Sequence, residues 1–149
     1  MIHFRFTTAI LLAALTLTAC GTSGPPTVGE TKPFAQVCDK SNDGKRIAVD
    51  GYLRFPSSFT KSTSVVLRFY ENGNFKGKPI GVQINTGTQP NQVDEVQKQF
   101  VDSDLKVHLS NGQIAPFGTK VKVSGTVYFP MVEQEFPCSF ENPLIEPAN

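Results

Sequence analysis

Between Arg46 and Phe55 the chain alternates strictly. Ile47, Val49, Gly51, Leu53 and Phe55 share one parity; Arg46, Ala48, Asp50, Tyr52 and Arg54 share the other. Successive side chains of a strand point to opposite faces, so this pattern predicts a half-buried β-strand. The alternation returns at Val65, Leu67 and Phe69, at Ile80, Val82 and Ile84, at Leu105, Val107 and Leu109, and at Val121, Val123, Gly125, Val127 and Phe129. A weaker strand is expected from Cys138 to Ile145. Asn72-Gly73 and Asn111-Gly112 are strong turn signals, and eleven prolines with twelve glycines suit short strands joined by many loops. The expectation is an all-β domain. One segment breaks the pattern: Val93, Val96 and Phe100 recur at helical spacing after Pro90-Asn91, where Asn91 could cap and Asp94 and Glu95 would fill the first turn. A short helix and an irregular polar loop both fit there.

The first residues carry a different message. A short polar stretch with one arginine, Arg5, precedes an uncharged and mostly apolar run from Ala9 to Leu17, which reads as a signal peptide over residues 1–19. A membrane-spanning helix needs roughly 20 apolar residues, and this run is too short. At its end Leu17-Thr18-Ala19-Cys20, followed by Gly21, resembles the lipobox of bacterial lipoproteins. The resemblance covers the first 21 residues. It implies cleavage before Cys20 and lipidation of that cysteine. It also implies a home in the cell envelope, in the outer membrane facing the periplasm where the host has two membranes, since Gly21 rather than aspartate follows Cys20. Several acyl chains, at about 0.8 kcal/mol per buried methylene, anchor a protein firmly.

Loss of Arg5 with the leader leaves equal numbers of basic and acidic side chains. A nucleic-acid partner is disfavoured, because phosphate neutralisation calls for a basic excess. With Cys20 lipidated, Cys38 and Cys138 remain, and in an oxidising compartment they are expected to pair. Residues 20–34, rich in Gly, Pro, Thr and Ser, read as a lipidated start and flexible tether, whose 14 residues from Gly21 to Phe34 reach about 45 Å when extended. Residues 35–149 form the expected domain.

Two predicted strands share a core pattern, Ile47-Ala48-Val49-Asp50-Gly51-Tyr52-Leu53 and Val121-Lys122-Val123-Ser124-Gly125-Thr126-Val127. In each, a glycine stands where an inward apolar residue belongs, as at a bend or bulge that closes a small barrel. This resembles the first and fourth strands of OB-fold domains, particularly small exported ones related to the tRNA-anticodon-binding group. Phe117-Gly118-Thr119-Lys120 sits where those families place the turn ahead of the fourth strand. The resemblance implies a closed or partly open barrel of five to six strands. The stretch from Pro79 to Asp104 departs from it, and a seven-strand β-sandwich fits the same strand pattern.

No nucleophile elbow, phosphate loop or dinucleotide fingerprint occurs, so neither an enzyme nor a cofactor is expected. Asp39, Ser41 and Asp43 with Gly44 match the first half of a calcium loop and are a weak metal candidate. Asp50, at the twelfth position, would lie on the extended strand roughly 20 Å past Asp43. His108 is expected to be solvated on an outer strand face, and Asp102 and Asp104 are expected in a solvated loop. In the OB reading the first-to-second-strand loop carries Phe55, Pro56, Phe59 and Lys61, and the fourth-to-fifth carries Phe129, Pro130, Met131 and Phe136. These loops flank the usual OB binding face. With Tyr52, Arg54 and Arg68 on adjoining strand faces, Phe55, Phe59, Phe129, Met131 and Phe136 make a candidate surface for a protein or glycan partner. Plugging of the barrel ends by the same phenylalanines is the competing reading. The functional expectation is a non-enzymatic envelope binding or adaptor module, against a structural or calcium-stabilised lipoprotein without a ligand pocket.

Overall fold

A computed structural model describes residues 24–58, 62–97, 99–131 and 135–148. The strands among these are β1 (Glu30–Thr31), β2 (Arg46–Arg54), β3 (Ser64–Tyr70), β4 (Ile80–Thr86), β5 (Gln92–Val93), β6 (Lys106–His108), β7 (Ile114–Pro116), β8 (Lys120–Tyr128) and β9 (Ser139–Pro147). One-turn 3-10 segments occur at Phe34–Gln36, Lys40–Asn42 and Asp102–Asp104. The fold is all-β.

Five strands close on themselves. β2 pairs antiparallel with β3 and β8, β3 with β4, and β8 with β9, while β9 returns to β4 in parallel. The barrel strands therefore run in the order first, second, third, fifth, fourth, an OB-like closure rather than a sandwich of two sheets. Closure follows from the alternating pattern, because the inward parity of every barrel strand is apolar. Leu67, Phe69, Val82, Val123, Phe140 and Ile145 are all completely buried in one core.

The two mid-strand glycines make that closure possible. A Cβ on Gly51 would press on the Tyr70 carbonyl and lie 2.7 Å from Phe69 Cζ; one on Gly125 would lie 2.6 Å from Phe140 Cβ. The β8–β9 register shifts between Ser124 and Thr126, a bulge centred on Gly125.

One open reading is settled and one expectation needs correction. Among the described residues no helix forms around Val93, Val96 and Phe100. The Asn91 and Asp94 amides donate to the carbonyls of His108 and Lys106 (2.8 and 3.0 Å), so the backbone is committed to a strand ladder that a helix would break. Val93 is buried from β5, and Val96 and Phe100 pack on the core from the loop that follows. The stretch read as tether is not free along its whole length either. β1 runs parallel to β2, with Glu30 opposite Ile47, and the Lys32 amide donates to the Ala48 carbonyl at 3.0 Å. Arg46 reinforces the docking by donating from Nε to the Thr27 carbonyl. β3 pairs only with the far end of β2, from Tyr52 onward, and β1 occupies the flank that remains. Ala48, of the outward parity, is consequently buried.

Cys38 and Cys138 stand at disulfide distance, with Cα atoms 5.5 Å apart. Cys138 immediately precedes β9, and its carbonyl accepts the Gly81 amide of β4 at 3.1 Å. Cys38 lies between two 3-10 turns that Asn42 holds together, since its buried Nδ2 donates to the carbonyls of Gln36 (2.8 Å) and Val37 (3.3 Å).

Candidate binding face

The outer face of β2 and β3 carries two arginines in direct register: Arg54 is the cross-strand partner of Arg68, and Arg68 in turn faces Gly81 on β4. Like charges set directly opposite one another repel. Here each guanidinium meets a carboxylate from outside the two strands. Arg54 donates to Asp102 Oδ2 from Nε at 3.0 Å and approaches it from Nη2 at 2.8 Å; this hydrogen bond raises the arginine's already high pKa. Arg68 pairs through Nε with Glu135 and donates from Nη2 to Ser57 Oγ at 2.7 Å. Ser57 belongs to the loop between β2 and β3, and Glu135 to the loop between β8 and β9. Arg68 is thus contacted by both loops that flank an OB binding face.

Between the arginines and the β5–β6 connection opens a cleft of about 450 Å³, whose lining includes Arg54, Arg68, Ser57, Phe100 and Asp102. An aromatic group adjoins it. The Arg54 guanidinium carbon lies 5.5 Å from the Phe75 ring centre, and Phe75 stacks on Phe117 at 4.9 Å. Tyr52 and Tyr70 meet Phe75 edge-on, at 6.4 and 5.7 Å. A guanidinium beside a ring face gains a cation–π contact and loses freedom to swing away. Phe75 has φ of 55°, in the left-handed region that a bulky residue rarely adopts.

The residues expected at the site divide. Tyr52, Arg54 and Arg68 come together on the outer face. Phe55, by contrast, is 2 % exposed and packs 5.1 Å from Phe100, so it is a core side chain. Phe129 and Phe136 are half-buried, with Lys40 Nζ 3.8 Å above the Phe129 ring near the cysteine pair, while Met131 is fully exposed. Phe59 and Lys61 lie outside the described residues, as do Arg5 and the segment through Cys20.

Four participants are not assigned to the site by the sequence: Asp102 as the Arg54 partner, Phe75, Glu135, and Phe117, which the sequence marks only as the start of a turn. Asp102, which the sequence places in a solvated loop, is ion-paired, and Asp104 Oδ2 accepts the Val101 amide at 2.9 Å. His108 is likewise not a solvated surface group. Its Nε2 lies 2.6 Å from Asp94 Oδ1 with the imidazole 11 % exposed, because β5 brings Asp94 alongside β6. Asp39, Ser41 and Asp43 are exposed around the Lys40–Asn42 turn, whose buried organiser is Asn42. Asp50 sits on β2 with Oδ2 3.7 Å from Lys120 Nζ. Among the described residues no group of three or more His, Cys, Asp or Glu is placed to hold a metal ion.

Comparison with known proteins returned no matching family model, no matching curated protein and no matching solved structure.

Proposed function

We propose that this chain is a lipid-anchored envelope protein, attached through Cys20, whose barrel binds an acidic protein or glycan on the Arg54–Arg68 face without catalysing a reaction. The observation that carries the reading is the adjacency of these two arginines between the two flanking loops. Arginine presents a planar fork that matches carboxylates, and both guanidinium groups already hold one. Those internal pairs are partly exposed, with the Arg54 side chain at 37 % and that of Glu135 at 41 %. Exposed ion pairs are worth about 0–1 kcal/mol, so an incoming anion displaces them at little expense. The lipobox-like Leu17-Thr18-Ala19-Cys20 supports the anchor, and the cysteine pair at disulfide distance suits an oxidising compartment.

Calorimetric titration of the purified chain with a hexaglutamate peptide and with a hyaluronan hexasaccharide tests the binding face. Heat of binding that weakens with salt and disappears in Arg54→Gln/Arg68→Gln is the expected result. No heat from either probe overturns the acidic-partner reading. For the anchor, Cys20→Ala is expected to leave the membrane fraction; a mutant that stays membrane-bound overturns lipid attachment at Cys20.

A further inference from the structure

The outer face does not end at the arginines. Along β3 and β4 the outward register runs from Arg68 opposite Gly81, through Val66 opposite Gln83, to Ser64 opposite Asn85. At about 3.3 Å per residue, Asn85 lies roughly 13 Å beyond Gly81. There the sheet forks. β4 pairs with β9 only at Gly81–Ser139 and Val82–Phe140, then with β5 from Asn85–Gln92 onward. Asn91 bridges the fork, its Oδ1 accepting the Ile145 amide at 2.7 Å. The fork leaves a crevice of about 520 Å³ lined by Gln83, Asn85, Gln92, Glu141 and Asn142 among others.

We infer that this crevice is an oligosaccharide subsite continuous with the arginine face, taking the uncharged sugar units of a glycan whose acidic unit sits on Arg54 and Arg68. The inference rests on the binding face proposed above and narrows its partner to a glycan. Its chemistry is that of the lining. Carboxamides donate and accept through one group, as sugar hydroxyls do, and Glu141 accepts further hydroxyl protons while repelling a ligand carboxylate. The crevice therefore favours neutral units, and the arginines favour the acid. The apolar part of the lining is three prolines, Pro26, Pro90 and Pro143, and it holds none of the aromatic, methionine or arginine side chains that centre a protein contact. The non-glycine residues with positive φ among those described are Phe75 (55°) beside Arg54, and Asn91 (60°) and Asn142 (47°) in the crevice, where asparagine adopts this backbone at little strain and fixes the turn of the lining.

Titration with chitotetraose, which is neutral, and with hyaluronan hexasaccharide, in which acidic and neutral units alternate, tests the inference. Gln83 and Asn85 are exposed, so Gln83→Ala/Asn85→Ala is expected to fold normally. In that variant hyaluronan affinity should fall about tenfold, the equivalent of one or two uncharged hydrogen bonds, and chitotetraose binding should vanish. Arg54→Gln/Arg68→Gln should lose hyaluronan and retain chitotetraose. The inference is overturned if chitotetraose gives no heat and hyaluronan affinity is unchanged by the crevice substitutions. Hexaglutamate bound through the arginines, with neither glycan bound, also overturns it while leaving the acidic-partner reading intact. Chitotetraose bound through the crevice, with neither acidic probe sensitive to the arginines, overturns the arginine face and with it the continuity of the two sites, leaving the crevice as a separate neutral-sugar site.

Discussion

Arg54 and Arg68 stand opposite each other on β2 and β3, and each is neutralised by a carboxylate from a different loop, Asp102 for one and Glu135 for the other. Separate loops can yield separately. Asp102→Asn/Glu135→Gln is expected to cost about 1 kcal/mol or less per pair in urea denaturation, because both pairs are partly exposed. The same variant should bind hexaglutamate more tightly than the wild type, since the arginines lose their internal competitors. Unchanged or weaker binding would show that the carboxylates are not competing for the ligand's place.

Barrel closure depends on the absence of a methyl group at Gly125. Gly125→Ala puts a carbon within 2.6 Å of Phe140 Cβ in a fully packed region. Overpacking of this kind costs about 1–3 kcal/mol. Gly24→Ala, where nothing lies within 4 Å of the added carbon, serves as the comparison and should be nearly silent. Equal urea midpoints for the two variants would refute the closure argument.

Much of this architecture is legible in the sequence because the barrel strands are amphipathic by parity. Ile47 to Leu53 and Val121 to Val127 announce their inner faces, and Gly51 and Gly125 stand where the core has no room for a side chain. What could not be read depends on partners remote in sequence. Val93, Val96 and Phe100 have helical spacing, yet the ladder to β6 extends the chain at Val93 and the core receives the other two from a loop. Glu30 and Thr31 look like linker residues, and become a strand only because β2 has an unpaired flank. Arg54 and Arg68 were readable as outward-facing, whereas Asp102 and Glu135 were not, since each reaches its arginine through loop geometry. Phe75 follows a recognisable Asn72-Gly73 turn, and an aromatic residue just past such a turn is the signal that could have drawn attention to it.

The cysteine pair links the approach to β2 with the start of β9 across 100 residues of chain. Native disulfides in small exported domains are worth about 2–5 kcal/mol. Reduction is expected to lower the melting temperature clearly, and peptide mapping without reductant should recover a Cys38–Cys138 linked fragment. Two alkylatable thiols in folded protein purified without reductant would contradict the pairing.

Docking of β1 should respond to acid. Glu30 Oε1 lies 2.7 Å from Lys32 Nζ, and that hydrogen bond, with the lysine's charge, holds the carboxyl below its ordinary value of 4.5. A carboxylate lowered on folding adds stability that is full above its unfolded pKa and is lost as pH falls through the folded one. Protection of the Lys32 amide, corrected for intrinsic exchange, should therefore hold above the ordinary glutamate range and decline below it. Glu30→Gln should flatten this dependence; a decline of the same shape in the variant would assign it to another group.

The parallel alignment of β1 with β2 also gives the molecule an up and a down. The chain arrives beside Ile47 at the start of β2, whereas Arg54 closes its far end, eight residues and roughly 26 Å along the strand from Arg46. Six residues, 21–26, separate Cys20 of the proposed anchor from Thr27, a reach of about 20 Å at most. Under the proposed anchor, the chain would reach the barrel from its Arg46 end, the end of β2 opposite to the Arg54–Arg68 face.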